Sequence, residues 1–273
     1  MTAPLLAIQN LGKSYNQQDF ALRNVDLTIA AGEFIVVIGP SGAGKSTFIR
    51  SINRMVDPTE GSVRFADVEL TKLKGKALRK QRAKIGMIFQ HYNLVGRTNV
   101  IKNVLHGRLG QVSLLTSLLG RYSEADKQEA LALLQKVGLA DHVYKKAKEL
   151  SGGQMQRVGI CRAIMQRPKL ILADEPIASL DPKSAAVVMD HLKAITTERK
   201  ITCIVNLHQV DFAKKYATRI IGIKDGQVVF DGKPQALSEE KIADIYLGKE
   251  EQMKLKQAQE SMTLEGAIAY GDI

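Results

Sequence analysis

Gly39-Pro40-Ser41-Gly42-Ala43-Gly44-Lys45-Ser46-Thr47 fits G-x-x-x-x-G-K-[ST], the pattern of a phosphate-cradling loop. Its glycines let the backbone curl until successive N–H groups point inward. Lys45 has the reach and charge for terminal phosphates, and the Ser46 hydroxyl is a candidate Mg2+ ligand. The flanks suit the same chemistry. Phe34-Ile35-Val36-Val37-Ile38 is an apolar, β-branched run that reads as a buried strand. A helix is expected from Phe48 to about Met55, with its positive N-terminal end beside the loop. Strand, glycine loop and helix in that order predict an α/β fold.

A second strand pattern ends in acid: Leu170-Ile171-Leu172-Ala173-Asp174-Glu175. A carboxylate at the C-terminal end of a parallel strand projects into the crevice that a phosphate loop also borders. Asp174 is therefore a candidate Mg2+ ligand with Ser46. Glu175 is a candidate to polarise a water aimed at a γ-phosphate. Leu150-Ser151-Gly152-Gly153-Gln154 opens a further helix, running to about Gln166. Such a start is either an anion site, because its N–H groups lack intrahelical partners, or an ordinary N-cap. A single phosphate loop already accounts for one triphosphate, so a second anion site calls for an explanation.

Around these motifs the chain alternates strand and helix signals. Leu5–Ile8, Val25–Ile29, Ser62–Phe65, Ile85–Phe89 and Thr202–Leu207 read as strands. Arg219–Ile223 and Gln227–Phe230 read as a hairpin about Asp225-Gly226. Helical patterns dominate between about residues 90 and 167. There, Ser123 and Asp126 have capping-box spacing, and Ala130, Leu131, Leu133, Leu134 and Val137 form one apolar face closed by Gly138. From about Lys249 the chain is polar and helix-prone.

The 273 residues carry a net charge of +11. No apolar run reaches the length of a membrane span, and the first residues lack the basic start and apolar stretch of a secretory signal. Basic residues crowd Lys72–Lys84 without the interleaved aromatics that stack bases. That patch reads as a solvated helix face. Cys161 and Cys203, the two cysteines, lie in apolar contexts without metal-ligand spacing and read as buried free thiols.

Taken together, Tyr15, the Gly39–Thr47 loop, Gln90, Ser151-Gly152-Gly153-Gln154, Asp174-Glu175, Ser179-Leu180-Asp181 and His208 resemble, in order and spacing, the nucleotide-binding subunit of an ATP-binding cassette (ABC) transporter. The resemblance runs from about Leu5 to about Gly232. It implies the ABC ATPase version of the P-loop NTPase fold: a RecA-like α/β core, an antiparallel β subdomain and an inserted α-helical subdomain. Residues 1–248 would be the nucleotide-binding domain. Within it, about 1–89 and 168–248 would form the core with its β subdomain, and about 90–167 the helical insert. Residues 249–273 would be a polar tail, helical or disordered.

The resemblance also implies roles. Tyr15 would stack on adenine. Gln90 would touch Mg2+ and the attacking water. Ser151 and Gly153, with Gly152 and Gln154 beside them, would bind the γ-phosphate of ATP held by a second copy in a head-to-tail homodimer. Asp181 would pass contacts between the two sites. His208 would hydrogen-bond the γ-phosphate and orient the water for Glu175. Implied partners are ATP with Mg2+, membrane permease subunits and, indirectly, an extracytoplasmic solute-binding protein, at the cytoplasmic face of a bacterial inner membrane. No nucleic acid partner is expected. Ala173–Pro182, Asn93–Val95 and Leu207–Ala213, with Ile177 and Gln209 at positions where many cassettes carry Thr and Asp, are most similar to phosphonate importers. Phosphite or hypophosphite importers would look much the same. A soluble cassette ATPase of DNA repair or translation is the competing class, disfavoured by the absence of a long heptad coiled coil and of a second cassette.

Overall fold

The computed structural model describes residues 3–16, 19–111 and 120–247. In chain order the strands are β1 (Leu6–Ser14), β2 (Phe20–Ile29), β3 (Phe34–Ile38), β4 (Glu60–Phe65), β5 (Val68–Glu69), β6 (Ile85–Ile88), β7 (Leu170–Asp174), β8 (Thr202–Asn206), β9 (Arg219–Lys224) and β10 (Gln227–Gly232). The α-helices are α1 (Lys45–Ile52), α2 (Gly75–Arg82), α3 (Val100–Leu105), α4 (Glu124–Lys136), α5 (Gly152–Met165), α6 (Pro182–Glu198), α7 (Val210–Tyr216) and α8 (Glu239–Tyr246).

Six strands form the central sheet in the order β10-β9-β3-β8-β7-β6. Only β10 runs antiparallel to its neighbour. β3, β7 and β8 are buried along their whole length, which is why they read as unbroken apolar runs rather than alternating ones. Side chains still alternate between faces. Ile35, Val37, Leu172 and Ile204 pack against Phe48, Ile49 and Ile52 of α1 and against a second sheet. Val36, Ile171, Ala173 and Val205 pack toward α5 and α6. The second sheet is antiparallel, with the order β2-β1-β4-β5.

Helices α3, α4 and α5 lie between β6 and β7 in sequence. Glu129 on α4 ties this insert to the later part of the chain, accepting from Arg167 (2.6 Å) and Arg199 (2.8 Å). Burial alone would push its carboxyl pKa up, but the two guanidinium groups outweigh that and hold it below the usual range. Helix α5 also grips the stretch around β6. Gln166, at its C-terminal end, donates to the carbonyls of Arg82 (2.9 Å) and Ile85 (3.0 Å). Gln156 reaches the Phe89 carbonyl at 3.5 Å, and Arg162 donates to the Tyr92 carbonyl at 2.8 Å and to that of Asn93.

Three local expectations are revised. The helix after the glycine loop starts at Lys45, not Phe48, and ends at Ile52. Gly44, at φ 101, caps it, and Phe48 N–H closes the first turn on the Gly44 carbonyl at 2.8 Å. Ser123 does cap α4, accepting from Asp126 N. The reciprocal half of the capping box is not made. The Asp126 carboxylate instead accepts from the Ser123 hydroxyl (2.8 Å) and pairs with Arg108 (3.0 Å), because Asp is one methylene shorter than the Glu a box favours. In the basic patch, Lys74, Lys76, Arg79 and Lys80 are exposed as expected, while Arg82 turns inward to the carbonyls of Asn53 and Arg54. The tail from Lys249 lies outside the described residues.

Candidate functional site

The glycine loop leaves β3 with its neighbours pressed close. At Gly39 (φ 150) a Cβ would stand 2.0 Å from the Ile223 carbonyl oxygen, and at Gly44 2.2 Å from that of Ala21. No larger residue fits either place without moving backbone. Lys45 is buried, and its ammonium donates to the carbonyls of Gly39 (2.8 Å) and Pro40 (2.9 Å). Burial pushes its pKa down, while the charges of Glu175 and Asp174 pull it back up. The loop from Ser41 to Thr47 lines a cavity of about 330 Å³ with Glu175 and His208. Tyr15 is 65% exposed at its edge, its hydroxyl 3.3 Å from Thr47 Oγ1. Lys13 Nζ lies over the Tyr15 ring, 5.1 Å from its centroid, and the rest of this exposed ring beside a phosphate loop is available for a base to stack on.

Asp174 ends β7 and is almost wholly buried. Its Oδ1 accepts from Asn206 Nδ2 at 2.7 Å and its Oδ2 from Arg50 Nε at 2.9 Å. The same Asn206 amide donates to Ser46 Oγ at 3.2 Å. Ser46 and Asp174 thus offer oxygen donors on either side of one amide, and Asn206 Oδ1 is buried without a partner among the described residues. Hard oxygen donors of this kind suit Mg2+, which keeps waters and substrate phosphates as its remaining ligands. Among the described residues no group of three or more His, Cys, Asp or Glu could hold a metal on its own.

Glu175 comes next, at φ 50, and precedes Pro176. That left-handed backbone costs a non-glycine residue roughly 1–2 kcal/mol, and a proline in the next position favours extended geometry instead. The strained link turns the carboxylate into the cavity, where Glu175 Oε1 accepts from His208 Nε2 at 2.8 Å. The two groups expected to manage water are therefore paired with each other.

The remaining candidates do not line that cavity. Gln90 comes after the edge strand β6 and is not part of the cavity wall. Ser151 caps α5 in a reciprocal box. Its hydroxyl accepts from Gln154 N (3.4 Å), and Gln154 Oε1 accepts from Ser151 N (2.9 Å). Gln154 thus fixes the helix start. Ser151, Gly153, Arg157, Lys183 and Ser184 border a separate cavity of about 160 Å³. A Cβ at Gly152 would meet the Tyr92 hydroxyl at 2.8 Å. Asp181 caps α6, accepting from Ser184 N at 3.0 Å, and its bonds to Ser184 hold its carboxyl below the usual range. Within one chain, then, Lys45, Ser46, Asp174, Glu175 and His208 come together, while Ser151, Gly153 and Asp181 form another group.

Sequence reasoning passed over two residues at the centre. Asn206, a lone amide ending an apolar strand, carried a usable signal. Arg50 carried none, because its partner Asp174 is remote in sequence and close only in the fold.

A sequence model of the family described as ABC transporter matches residues 22–178. The chain is 57% identical to "Phosphonates import ATP-binding protein PhnC 2" of Oceanobacillus iheyensis over 89% of this chain and 95% of that protein. It is 50% identical to "Phosphonates import ATP-binding protein PhnC" of Treponema denticola, over 86% of this chain and 92% of the other. Among solved structures, a dimeric ATP-binding cassette in a post-hydrolysis state bound to ADP and Pi superposes with a TM-score of 0.74 at 35% identity, covering 84% of this chain and 98% of that one. The ADP conformation of another cassette gives 0.77 at 30% identity, covering 91% and 100%. The phosphate loop, the acidic strand end and the two-sheet core with its helical insert are thus matched by relatives over most of their length, and the chain belongs to the ABC transporter family as an ATP-binding cassette.

Proposed function

We propose that this protein is the ATP-hydrolysing subunit of an importer that takes up phosphonates through separate permease subunits. One observation carries the ATPase reading. The phosphate loop, Glu175 and His208 line one cavity, while the Ser151–Gly153 helix start borders another on the same chain. The phosphonate assignment rests on the relatives that bear that description.

In this reading Lys45 and the loop N–H groups hold the phosphates of ATP, with Tyr15 against the base. Ser46 and Asp174 hold Mg2+, which neutralises phosphate charge when bound. Glu175 takes the proton of the attacking water, and His208, at 2.8 Å from it, orients that carboxylate and the water. Gln90 reports the state of the site to the helical insert. Ser151 and Gly153 face the γ-phosphate held by a second copy, with Asp181 between the sites, so that ATP closes a head-to-tail dimer. A solved relative described as dimeric and bound to ADP and Pi supports the pairing of two copies. Differential affinity of the closed and open dimers for ATP then drives the cycle.

In the same reading residues 1–248 form one nucleotide-binding domain, with about 90–167 as its helical part. Among the described residues no helix is long and apolar enough to cross a membrane. The protein binds peripherally to its permease at the cytoplasmic face, and an extracytoplasmic binding protein delivers solute from the other side. Deleting the gene in its host is expected to abolish growth on a phosphonate as sole phosphorus source while sparing growth on phosphate. Wild type restores growth and Lys45→Ala does not. Unimpaired growth of the deletion strain on phosphonates overturns the assignment, and loss confined to phosphite reassigns the solute.

A further inference from the structure

Asn206 is the last residue of β8 and is fully buried. The rest of that strand, Thr202-Cys203-Ile204-Val205, is buried too. An amide in such a place is costly unless its groups are bonded. Its register explains why it is there. Asn206 lies opposite Val37 of β3 on one side and Asp174 of β7 on the other, on the sheet face that α1 covers. One amide nitrogen therefore reaches Asp174 Oδ1 at 2.7 Å and Ser46 Oγ at 3.2 Å. The flipped amide would set two acceptor oxygens against each other beside the carboxylate, so the NH2 group must face Asp174.

We propose that Asn206 is a positioning residue: its amide ties Ser46 to Asp174, so that the hydroxyl and the carboxylate meet Mg2+ as a pre-set pair. This rests on the reading of Ser46 and Asp174 as the metal ligands. The bonding is compatible with that task. Ser46 Oγ accepts one N–H from Asn206 and keeps its second lone pair and its own proton. Among the described residues Asp174 Oδ2 is held only by Arg50, whose side chain is half exposed, whereas Asn206 is sealed in the core. Arg50 is free to be displaced, and Asn206 is not. Asn206 touches neither the nucleotide nor the water in this scheme. It acts through the two groups it holds, as outer-shell partners of metal ligands do.

The test is Mn2+ binding to the purified full chain loaded with ADP, with free Mn2+ read by electron paramagnetic resonance. Asn206→Leu, similar in size but without donors, is expected to weaken Mn2+ about tenfold or more, the range found when outer-shell partners are removed. ADP affinity in EDTA is expected to stay within about twofold of wild type, and excess Mn2+ to recover ATP turnover, as a metal-positioning role requires. If Asn206→Leu does not fold, Asn206→Ser, too short to reach both partners, carries the same expectation. Ser46→Ala and Asp174→Asn are measured alongside. If they weaken Mn2+ and the Asn206 variants do not, the assignment of Asn206 falls and the metal ligands stand. If none of them changes Mn2+ affinity, the ligand assignment fails and this proposal with it.

Discussion

Replacing Glu175 with Gln separates chemistry from architecture at this site. The amide keeps the Cβ, the backbone demand at φ 50 and an oxygen that can still accept from His208 Nε2 at 2.8 Å. What it loses is the ability to take a proton. General-base catalysis contributes about 10²- to 10⁴-fold, which at about 1.36 kcal/mol per decade is roughly 2.7–5.4 kcal/mol of barrier. The structural cost is much smaller. The His208–Glu175 pair is 40% and 20% exposed, so its charge contributes no more than about 1 kcal/mol, and Tm moves by at most about 4 °C. Lys45 supplies a second readout. Its pKa, already lowered by burial, is held up in part by Glu175. Removing that charge lowers it further, so ATP affinity falls off at lower pH in the variant than in wild type as pH rises. Glu175→Gly is the companion. It relieves roughly 1–2 kcal/mol of left-handed strain but adds about 0.5–1 kcal/mol of unfolded-state entropy, leaving stability within about 1 kcal/mol while turnover is lost. The assays are steady-state phosphate release, nucleotide binding across pH and thermal unfolding. Turnover of Glu175→Gln within about tenfold of wild type would refute the general-base argument.

Gly153→Asp places a carboxylate at the first turn of α5, where a Cβ already comes within 3.3 Å of Ser184 Cβ. In a Glu175→Gln background it is expected to abolish the ATP-dependent dimer peak in gel filtration while leaving ATP binding by the monomer intact; a normal dimer peak contradicts the shared-site arrangement. Glu129→Gln removes a carboxylate whose folded pKa lies below its ordinary value. The stability that group adds is complete above its unfolded pKa and is lost as pH falls through the folded one, so the variant is less stable at neutral pH and its acid limb is flatter. Equal Tm loss at all pH values would show that the Arg167 and Arg199 contacts contribute no charge term. Burial pushes the Cys161 thiol up to about 12 and that of Cys203 upward as well. Both are expected to resist a thiol reagent in the native protein at mildly alkaline pH and to react only in guanidinium; labelling of the folded chain would place one of them at the surface.

Much of this architecture was legible because the decisive segments are locally self-consistent. The run Phe34–Ile38 became β3 with the expected bounds, since a fully buried parallel strand must be apolar throughout. β1 runs on to Ser14, past the expected Ile8. Its alternation breaks at register shifts after Ile8, where Asn10 takes φ 48, and period-two reading fails at such bulges. The two-residue β5 is too short to leave a pattern. At the site, the meeting of Lys45, Asp174 and Glu175 was legible because each is tied to a loop or a strand end. The start of α5 reads equally as an anion site or an N-cap, and the cap is made there, as it is at Asp181, from Ser three positions before Gln and from Asp before Pro. Arg50 with Asp174, and Arg162 with Tyr92, are contacts that only the folded chain creates.

Helix α5 links two distant places in the chain. At its first turn stand Ser151 and Gly153, and farther along it Gln156, Arg162 and Gln166 hold carbonyls before, within and after the strand that leads to Gln90. A tilt that brings the first turn toward a neighbouring subunit must drag the backbone at Phe89–Asn93 with it or break those bonds. In the proposed cycle, closure at one end of the helix and displacement at the other would be a single motion, and a permease seated against that backbone would receive the stroke directly.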